Sequence, residues 1–583
     1  MTTHSSDWPV ANTQHGMLVA FGEFLCQHSL IDRLMDVPIA QKTRTFRPQT
    51  KLVEFLVGIM SGLEYLQDLN LGSHPLVKDP VVARAWGQPG FAHFSGVSRT
   101  LDTCDDETVQ AVEQAIAEFS RPFIATAVHD LLHRGAALIY DFDLTGQAVS
   151  PTSTTYPQAT FGWMNDRVKL GYQLARVCLS PEAGDRLWLA GFHHPGDTVS
   201  AACLKELVEA AEAQTQVRPR RRPELVQHRI DAQRASLERT RRLLNQQHTQ
   251  LTRLHQTQLR LHGQIYHTEQ LRKGPISRPK AAILKKQLTG WQKRLPRLAS
   301  QLTTGQQVAS KHQQHLLQQE TALTALLAWQ ARLATDNRTN PNPPAYVEAR
   351  MDAGFATGEN LTWLLELGYC PSTKAPNGHT ATALRARLPK QSHWVKVGAN
   401  AEMVGWGEYH LHDCPYPLTV ALERFKVGHA YKYAALIQYR DDPVCPTLPA
   451  WFQHYNQRQT IEAGNKEMKG TFFVQHLMSR SLAGIRLQVL FTGLAANVAR
   501  WCRPWLKNCA ADSTPQLTRT LNSPKHLVRG AANSAALVQQ TRCGTALQFA
   551  PESALPGVIF FLHGVPAFQL ALGLNQPYRI ESG

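Results

Sequence analysis

The sequence predicts a mixed α/β fold carrying a long helical hairpin. Three observations predict it: apolar residues at 3–4 spacing through 16–130, a change to short strand-like runs near 136 and again near 345, and a seven-residue repeat between 224 and 335. A chain of 583 residues exceeds one ordinary core, so two to four structural units are expected. With 43% hydrophobic and 18% charged residues, the composition excludes an intrinsically disordered chain.

The elements follow in order. Leu52, Val53, Leu56, Ile59, Met60, Leu63 and Leu66 form one helical stripe. Asp79-Pro80 opens a further helix. Gly96 to Leu101 reads as a turn followed by a small helix, either a helix-turn-helix that reads DNA or part of an all-helical packing domain. Ala136 to Tyr140 is an apolar run ending in Asp141-Phe142-Asp143-Leu144-Thr145-Gly146, the pattern of a buried strand whose end opens into a loop. Val168 to Leu179 and Arg186 to Phe192 read as strands, and Pro195-Gly196-Asp197-Thr198 as a helix N-cap.

Between 224 and 335, Ile230, Leu237, Leu244 and Leu251 repeat every seven residues, joined by Leu254 and Leu261. Leu284, Leu288, Trp291, Leu295, Leu298 and Leu302 follow at 4-3-4-3-4 spacing, and Ala309, Leu316 and Leu323 keep the register. Lys273 to Pro279 separates the two runs as a turn. This predicts an antiparallel coiled-coil hairpin with arms of roughly 60–80 Å, kinked or broken at Pro296. Residues 218–335 hold 22 Lys and Arg against 5 acidic residues, a surplus of 17, and the whole chain carries +16. The basic charge therefore resides on the hairpin. It is either the solvated face of a dimerising coil or an arm that grips DNA phosphates, and the two are compatible.

After an Asn/Pro linker at 336–344, Ala345 to Phe355 repeats the design seen at 136: a short strand ending in an acid, Asp352, then Gly354. Residues 357–367 read as helix, 391–440 as a β-rich insertion, Tyr455 to Lys469 as a helix and Ile485 to Trp501 as a long apolar one. Asp143 and Asp352 end strands and Glu462 lies on a later helix. The RNase H-like α/β fold arranges three carboxylates in this way, one at the end of the first strand, one on an adjacent strand and one on a later helix. Such hard oxygen ligands bind Mg²⁺, and two ions about 3.5–4 Å apart activate the attacking water or 3′-OH and stabilise the leaving oxygen of a phosphodiester. On a single helix, Tyr455, Arg458, Glu462 and Lys469 share one face, which sets a carboxylate among phosphate-neutralising groups.

The spacing Tyr-x2-Arg-x3-Glu-x6-Lys at 455–469 resembles the signature of bacterial insertion-sequence transposases of the DDE class with the Tyr-Arg-Glu-Lys motif. Asp143-Leu144-Thr145 is similar to that family's first motif, Asp-x-Thr/Ser, and Arg350-Met351-Asp352-Ala353-Gly354-Phe355 to its second. The resemblance covers about 50–200 and 345–505, with the hairpin as an insertion. It implies Asp143, Asp352 and Glu462 as catalytic metal ligands for Mg²⁺, with Mn²⁺ a substitute. It also implies Tyr455, Arg458 and Lys469 on the transposon-end backbone, with Arg350 beside them. An aromatic in the β-rich insertion, Trp406 or equally Trp394, would hold a flipped base, unless both tryptophans simply pack that insertion. Cut-and-paste cleavage and strand transfer on double-stranded DNA, in a homodimeric synaptic complex, is the implied activity. The alternatives are a domesticated non-catalytic DNA-binding protein and a structure-selective nuclease on the same fold.

Residue types left alternatives open. Asp141 competes with Asp143, since both point to one face of a strand, and the Asp-x-Thr match favours Asp143. Glu467 competes with Glu462 but reads as a solvated surface acid. His193-His194 and His410-x-His412-x-Cys414 lack the spacing of zinc ligands. The ten scattered cysteines include no Cys-x-x-Cys pair. The opening residues, with His4, Asp7 and His15, do not read as a secretory signal, and the run Leu52 to Leu66 is too short to span a bilayer. The expectation is a reduced, cytoplasmic, nucleoid-associated prokaryotic protein with no membrane partner. The expected divisions are a helical DNA-binding or assembly domain (1–130), core segments at 131–215, 341–375 and 446–505, the hairpin (216–340), the β-rich insertion (376–445) and a C-terminal region (506–583).

Overall fold

A computed structural model describes residues 10–563 apart from 43–44, 165, 181–185, 345, 377, 440–446 and 542–543. His4, Asp7, Ala345, Cys445, Arg542 and Cys543 lie outside the described residues. The architecture is mixed α/β, in two compact units: Met1–Pro219 with Asn342–Gly583, and Arg220–Pro341.

The first unit begins with β1 (Val10–Thr13) and the helices α1 (Gly16–Gln27), α2 (Leu30–Met35), α3 (Pro48–Met60), α4 (Asp68–Leu71), α5 (Pro80–Ala85), α6 (Phe94–Thr103) and α7 (Asp106–His133). The apolar stripe of α3 is buried throughout, but the helix ends at Met60, so Leu63 and Leu66 lie beyond it. Asp79 caps α5 through Val81 and Val82 N–H. No turn occurs at Gly96. That residue sits inside α6, which His93 caps and which packs on α3, so the expected turn followed by a small helix is one continuous helix.

Next come β2 (Leu138–Ala148), β3 (Thr160–Met164), β4 (Arg167–Leu179), β5 (Leu187–Pro195) and α8 (Ser200–Thr215). The expected loop after Asp143 is not there. Because β4 offers backbone partners as far as the Ala148–Gly171 pair, β2 continues five residues past Asp143 and holds it mid-strand. Asp197 does not cap α8. It accepts a hydrogen bond from Thr160 Oγ1 at 2.8 Å, and the N-cap position belongs to Val199.

Beyond the hairpin lie β6 (Val347–Arg350), α11 (Gly358–Glu366), β7 (Cys370–Lys374), α12 (Gly378–Arg387), β8 (Val395–Lys396), β9 (Ala401–Tyr409), β10 (Leu418–Val427) and β11 (Ala430–Tyr439). One sheet runs β3-β4-β2-β6-β7-β11-β10-β9-β8, with β5 also on β4. β2, β6 and β7 are mutually parallel and the other pairs antiparallel. The β-rich stretch thus extends the central sheet through the β11–β7 pair. Then come α13 (Leu448–Asn456), α14 (Gln459–Gly470), α15 (Leu482–Cys509), α16 (Pro515–Leu521), β12 (Ala536–Thr541), β13 (Gly544–Phe549) and β14 (Ile559–His563). β1 pairs with β12, which brings the two ends of the described chain into a second sheet. By length and composition α15 is apolar enough to cross a membrane, yet 83% of its most apolar window is buried inside the protein.

The second unit is an antiparallel helix pair, α9 (Pro223–Lys273) and α10 (Arg278–Arg338). At 1.5 Å per residue the arms are about 75–90 Å long, slightly more than expected. Ile230, Leu237, Leu244 and Leu261 face Leu288, Leu298, Ala309 and Leu333 in the buried seam. No break occurs at Pro296, which α10 carries inside the helix. α10 also runs through Asp336 to Arg338, where a linker was expected. Its base is closed by Arg221: the backbone N–H donates to Asn337 Oδ1 at 2.7 Å, the carbonyl accepts from Asn337 Nδ2 at 3.0 Å, and Nε lies 3.3 Å from Asp336 Oδ2.

Candidate active site

The parallel register of β2 and β6 pairs Asp141 with Arg350. Asp143 lies two residues further along β2, and Asp352 two residues beyond β6, which ends at Arg350 and not at the acid as expected. Asp143 is 6% exposed. Its Oδ2 accepts from Asn465 Nδ2 at 2.8 Å and lies 3.6 Å from Arg176 Nε, while Oδ1 lies 3.6 Å from Arg458 Nη1. Asp352 is half-buried, and its Oδ1 accepts from Gly354 N–H at 2.9 Å. Burial pushes the Asp352 carboxyl above its ordinary range, the Arg458 guanidinium pulls it back, and the Asp143 charge pushes it up again. Arg458 thus lowers the Asp352 pKa and lies 3.6 Å from Asp143, while the Asp143 charge opposes that of Asp352.

Asp141 has a different task. Fully buried, it accepts from Arg350 Nε at 2.7 Å, Arg350 Nη2 at 3.0 Å and Arg186 Nη2 at 2.5 Å. The sequence left Asp141 and Asp143 competing for one role. The fold gives Asp141 to an internal ion pair and leaves Asp143 facing Asp352.

Arg350 corrects an expectation. It is 1% exposed and also donates to Ser180 Oγ and His454 O, so it braces the strands and cannot reach a DNA backbone. The Tyr455 ring, 7% exposed, packs with Trp451, Met403 and Leu436, and Lys374 Nζ lies 5.5 Å from its centre. Packed in this way, Tyr455 does not offer a DNA-facing surface.

No single helix carries 455–469. Arg458, Thr460 and Ile461 N–H donate to Tyr455, Gln457 and Arg458 O, a run of i→i−3 bonds that separates α13 from α14. Arg458 at this junction faces both aspartates, and its interactions with Tyr455, Asp352 and Asp143 outweigh the burial that would lower its pKa. On α14, Asn465 reaches Asp143 and Lys469 Nζ donates to Thr145 Oγ1 at 3.0 Å, so one helical turn matches two strand residues. Burial lowers the Lys469 pKa. Glu462 is exposed, one turn before Asn465, with no hydrogen bond or ion pair among the described residues. Glu467 pairs with Arg500 at 2.8 Å, so it is not simply solvated.

Trp406 is the extra residue of a β-bulge: Ala421 pairs with Gly405 and Val420 with Gly407, leaving the half-buried tryptophan between two glycines, the second at φ +86°. Trp394 is engaged, with Arg424 4.1 Å from its ring centre and Tyr433 edge-on.

Arg176, Asn465 and Arg186 were missed in the sequence. Arg176 stands opposite Asp143 in the β2–β4 register, 2% exposed, and donates to Ile461 O at 2.7 Å, which pins α14 to the sheet. An arginine inside the apolar alternation of Val168 to Leu179 was the available signal. Asn465, three residues after Glu462, had none.

A divalent cation fits Asp143 and Asp352 chemically: hard oxygens, side by side, with Asp352 raised partly by its neighbour. Glu462, exposed on the preceding turn of α14, does not join them: among the described residues Asp143, Asp352 and Glu462 do not form a group with ligand atoms within 4.8 Å of one another. No family model and no curated protein matches this chain.

Proposed function

We propose that the protein is a DNA-cleaving and strand-transferring enzyme of the DDE transposase kind, with an RNase H-like core. The observation that carries this reading is the register of β2 with β6, which sets Asp143 beside Asp352 beneath Arg458. Mg²⁺, or Mn²⁺ in its place, would be held by these aspartates and would supply activation of water or a 3′-OH and stabilisation of the leaving oxygen.

The protein's own groups prepare that chemistry. Asn465 orients Asp143 through its hydrogen bond, and Arg458 and Arg176, each 3.6 Å from that carboxylate, add positive charge around it. Lys469 adds positive charge along β2 toward the incoming phosphate. Trp406, lifted by its bulge, is available to stack on an unpaired base, whereas Trp394 is held by its neighbours. The basic hairpin supplies sequence-independent attraction to double-stranded DNA, and its coil also suits pairing of two copies in a synaptic homodimer.

The test uses duplex DNA from the gene's flanks, labelled at one strand, with purified protein and Mg²⁺. Nicking at a defined end, lost in Asp352→Asn while binding persists, supports the reading. Unchanged nicking by that variant refutes it. The exposed, unengaged Glu462 favours a second reading, a DNA-binding descendant without catalysis. No nicking by the wild type with Mg²⁺ or Mn²⁺, alongside tight binding of the same flanks, would favour it.

A further inference from the structure

Among the described residues, one group of three metal-ligating side chains converges: His194, Cys203 and Glu206, whose ligand atoms all lie within 4.8 Å of one another. The fold brings them together simply. Successive residues of β5 face opposite sides, so His193 packs on Tyr172 and His194 turns toward α8. Cys203 and Glu206 are one turn apart on α8 and share a face.

The contacts within the group are poor as hydrogen bonds. His194 Nε2 and Glu206 Oε1 lie 2.5 Å apart yet are misaligned for one, and both atoms are covered by protein without a hydrogen-bond partner. Cys203 is 1% exposed, with its Sγ 3.7 Å from Val199 O, a weak partner. Imidazole and carboxylate thus meet as a close, covered ion pair with a thiol beside it, the donor types of a transition-metal site. Beside them opens a cavity of about 500 Å³ lined by His194, Glu206, Gln158, Asp106, Glu113 and Arg486.

We propose that His194, Cys203 and Glu206 bind a zinc-class divalent transition metal, with the fourth position open to this cavity. Thiolate and imidazole donors select a borderline-soft ion over Mg²⁺, and three protein ligands with one open position is the arrangement in which zinc keeps a water. Binding displaces to solvent the Cys203 thiol proton and the proton that His194 shares with Glu206, and takes the carboxylate as it is. Metal–ligand bonds of about 2.0–2.3 Å require the His194–Glu206 separation to widen by somewhat under an ångström, a side-chain adjustment. Because the ligands belong to β5 and α8, the ion would tie that helix to the sheet. The inference is independent of the DNA-cleavage reading.

Full-length protein stripped with chelator and titrated with Co²⁺ tests it. The expected result is one equivalent giving intense tetrahedral d–d bands and a thiolate-to-cobalt charge-transfer band. Zn²⁺ should bleach them and excess Mg²⁺ should not. Cys203→Ser should lose the charge-transfer band, the control Cys104→Ser should keep it, and Glu206→Gln should weaken binding at least tenfold. Where Cys203→Ser does not fold, Glu206→Gln carries the test, since that side chain is partly exposed. A wild-type protein with no charge-transfer band at stoichiometric Co²⁺, or an unweakened Glu206→Gln, overturns the site and leaves a histidine–glutamate contact.

Discussion

Asp141 holds Arg350 side-on across two parallel strands, Oδ1 to Nε at 2.7 Å and Oδ2 to Nη2 at 3.0 Å, with neither residue more than 1% exposed. Removing one partner leaves a buried charge short of its main counterion. Arg350→Met should therefore cost about 3–5 kcal/mol in denaturant unfolding. Asp141→Leu with Arg350→Met should recover most of that loss. A double variant no more stable than the single one would show that the pair does more than neutralise itself.

Glu462 and Asn465 compete for the role of the group that α14 contributes. If Glu462 completes the ligand set, Glu462→Gln lowers Mg²⁺-dependent nicking about 10²–10³-fold, the scale of several kcal/mol of lost charge stabilisation. Asn465→Ala, which frees Asp143 of one hydrogen bond, should cost about tenfold or less. Single-turnover rates on one labelled substrate decide. The reverse ranking would move the assignment to Asn465.

Glu54 gives a pH signature. It lies fully buried in α3, accepting from Ala92 N–H at 2.8 Å, and burial raises its pKa to about 8. A raised acid keeps its proton in the folded state, so stability is fullest below the unfolded value near 4.5 and falls as pH rises toward 8. Glu54→Gln retains the acceptor and removes the charge. It should gain on the order of 3 kcal/mol over wild type at pH 8.5 and little at pH 4.5, read from urea midpoints. A pH-independent difference would contradict this.

Replacing residues 224–335 with a short Gly/Ser bridge removes most of the basic surplus. The remaining unit should fold, while DNA affinity falls and its dependence on log[salt] becomes shallower by roughly one unit per lost phosphate contact. Unchanged affinity, slope and oligomeric state would leave the arm without a role in binding or assembly.

Strand and hairpin positions were legible because alternation and heptads repeat locally, as in Val168–Leu179 and in Ile230 to Leu251. Where partner strands decide, local reading failed. Nothing near Asp143 says that β4 will carry β2 on to Ala148, and nothing near Arg350 says that Asp141 will enclose it. Pro296 was over-read, since a proline in a long coil costs one ladder bond that the neighbouring turns and the packed arm outweigh. Tyr455 and Arg458 were read from helical spacing alone. Their true geometry depends on a junction of i→i−3 bonds that no residue preference announces. The side-by-side aspartates follow from a parallel register that spacing along the chain does not encode.

The latch formed by Arg221 and Asn337, 116 positions apart, gives the long excursion a single doorway. Whatever lengthens or shortens beyond it happens outside the threshold. Heptads added to both rods in matched pairs would change the reach by about 10 Å each and leave untouched how β2 meets β6. The length of the rods can thus vary without altering the pairing of the strands.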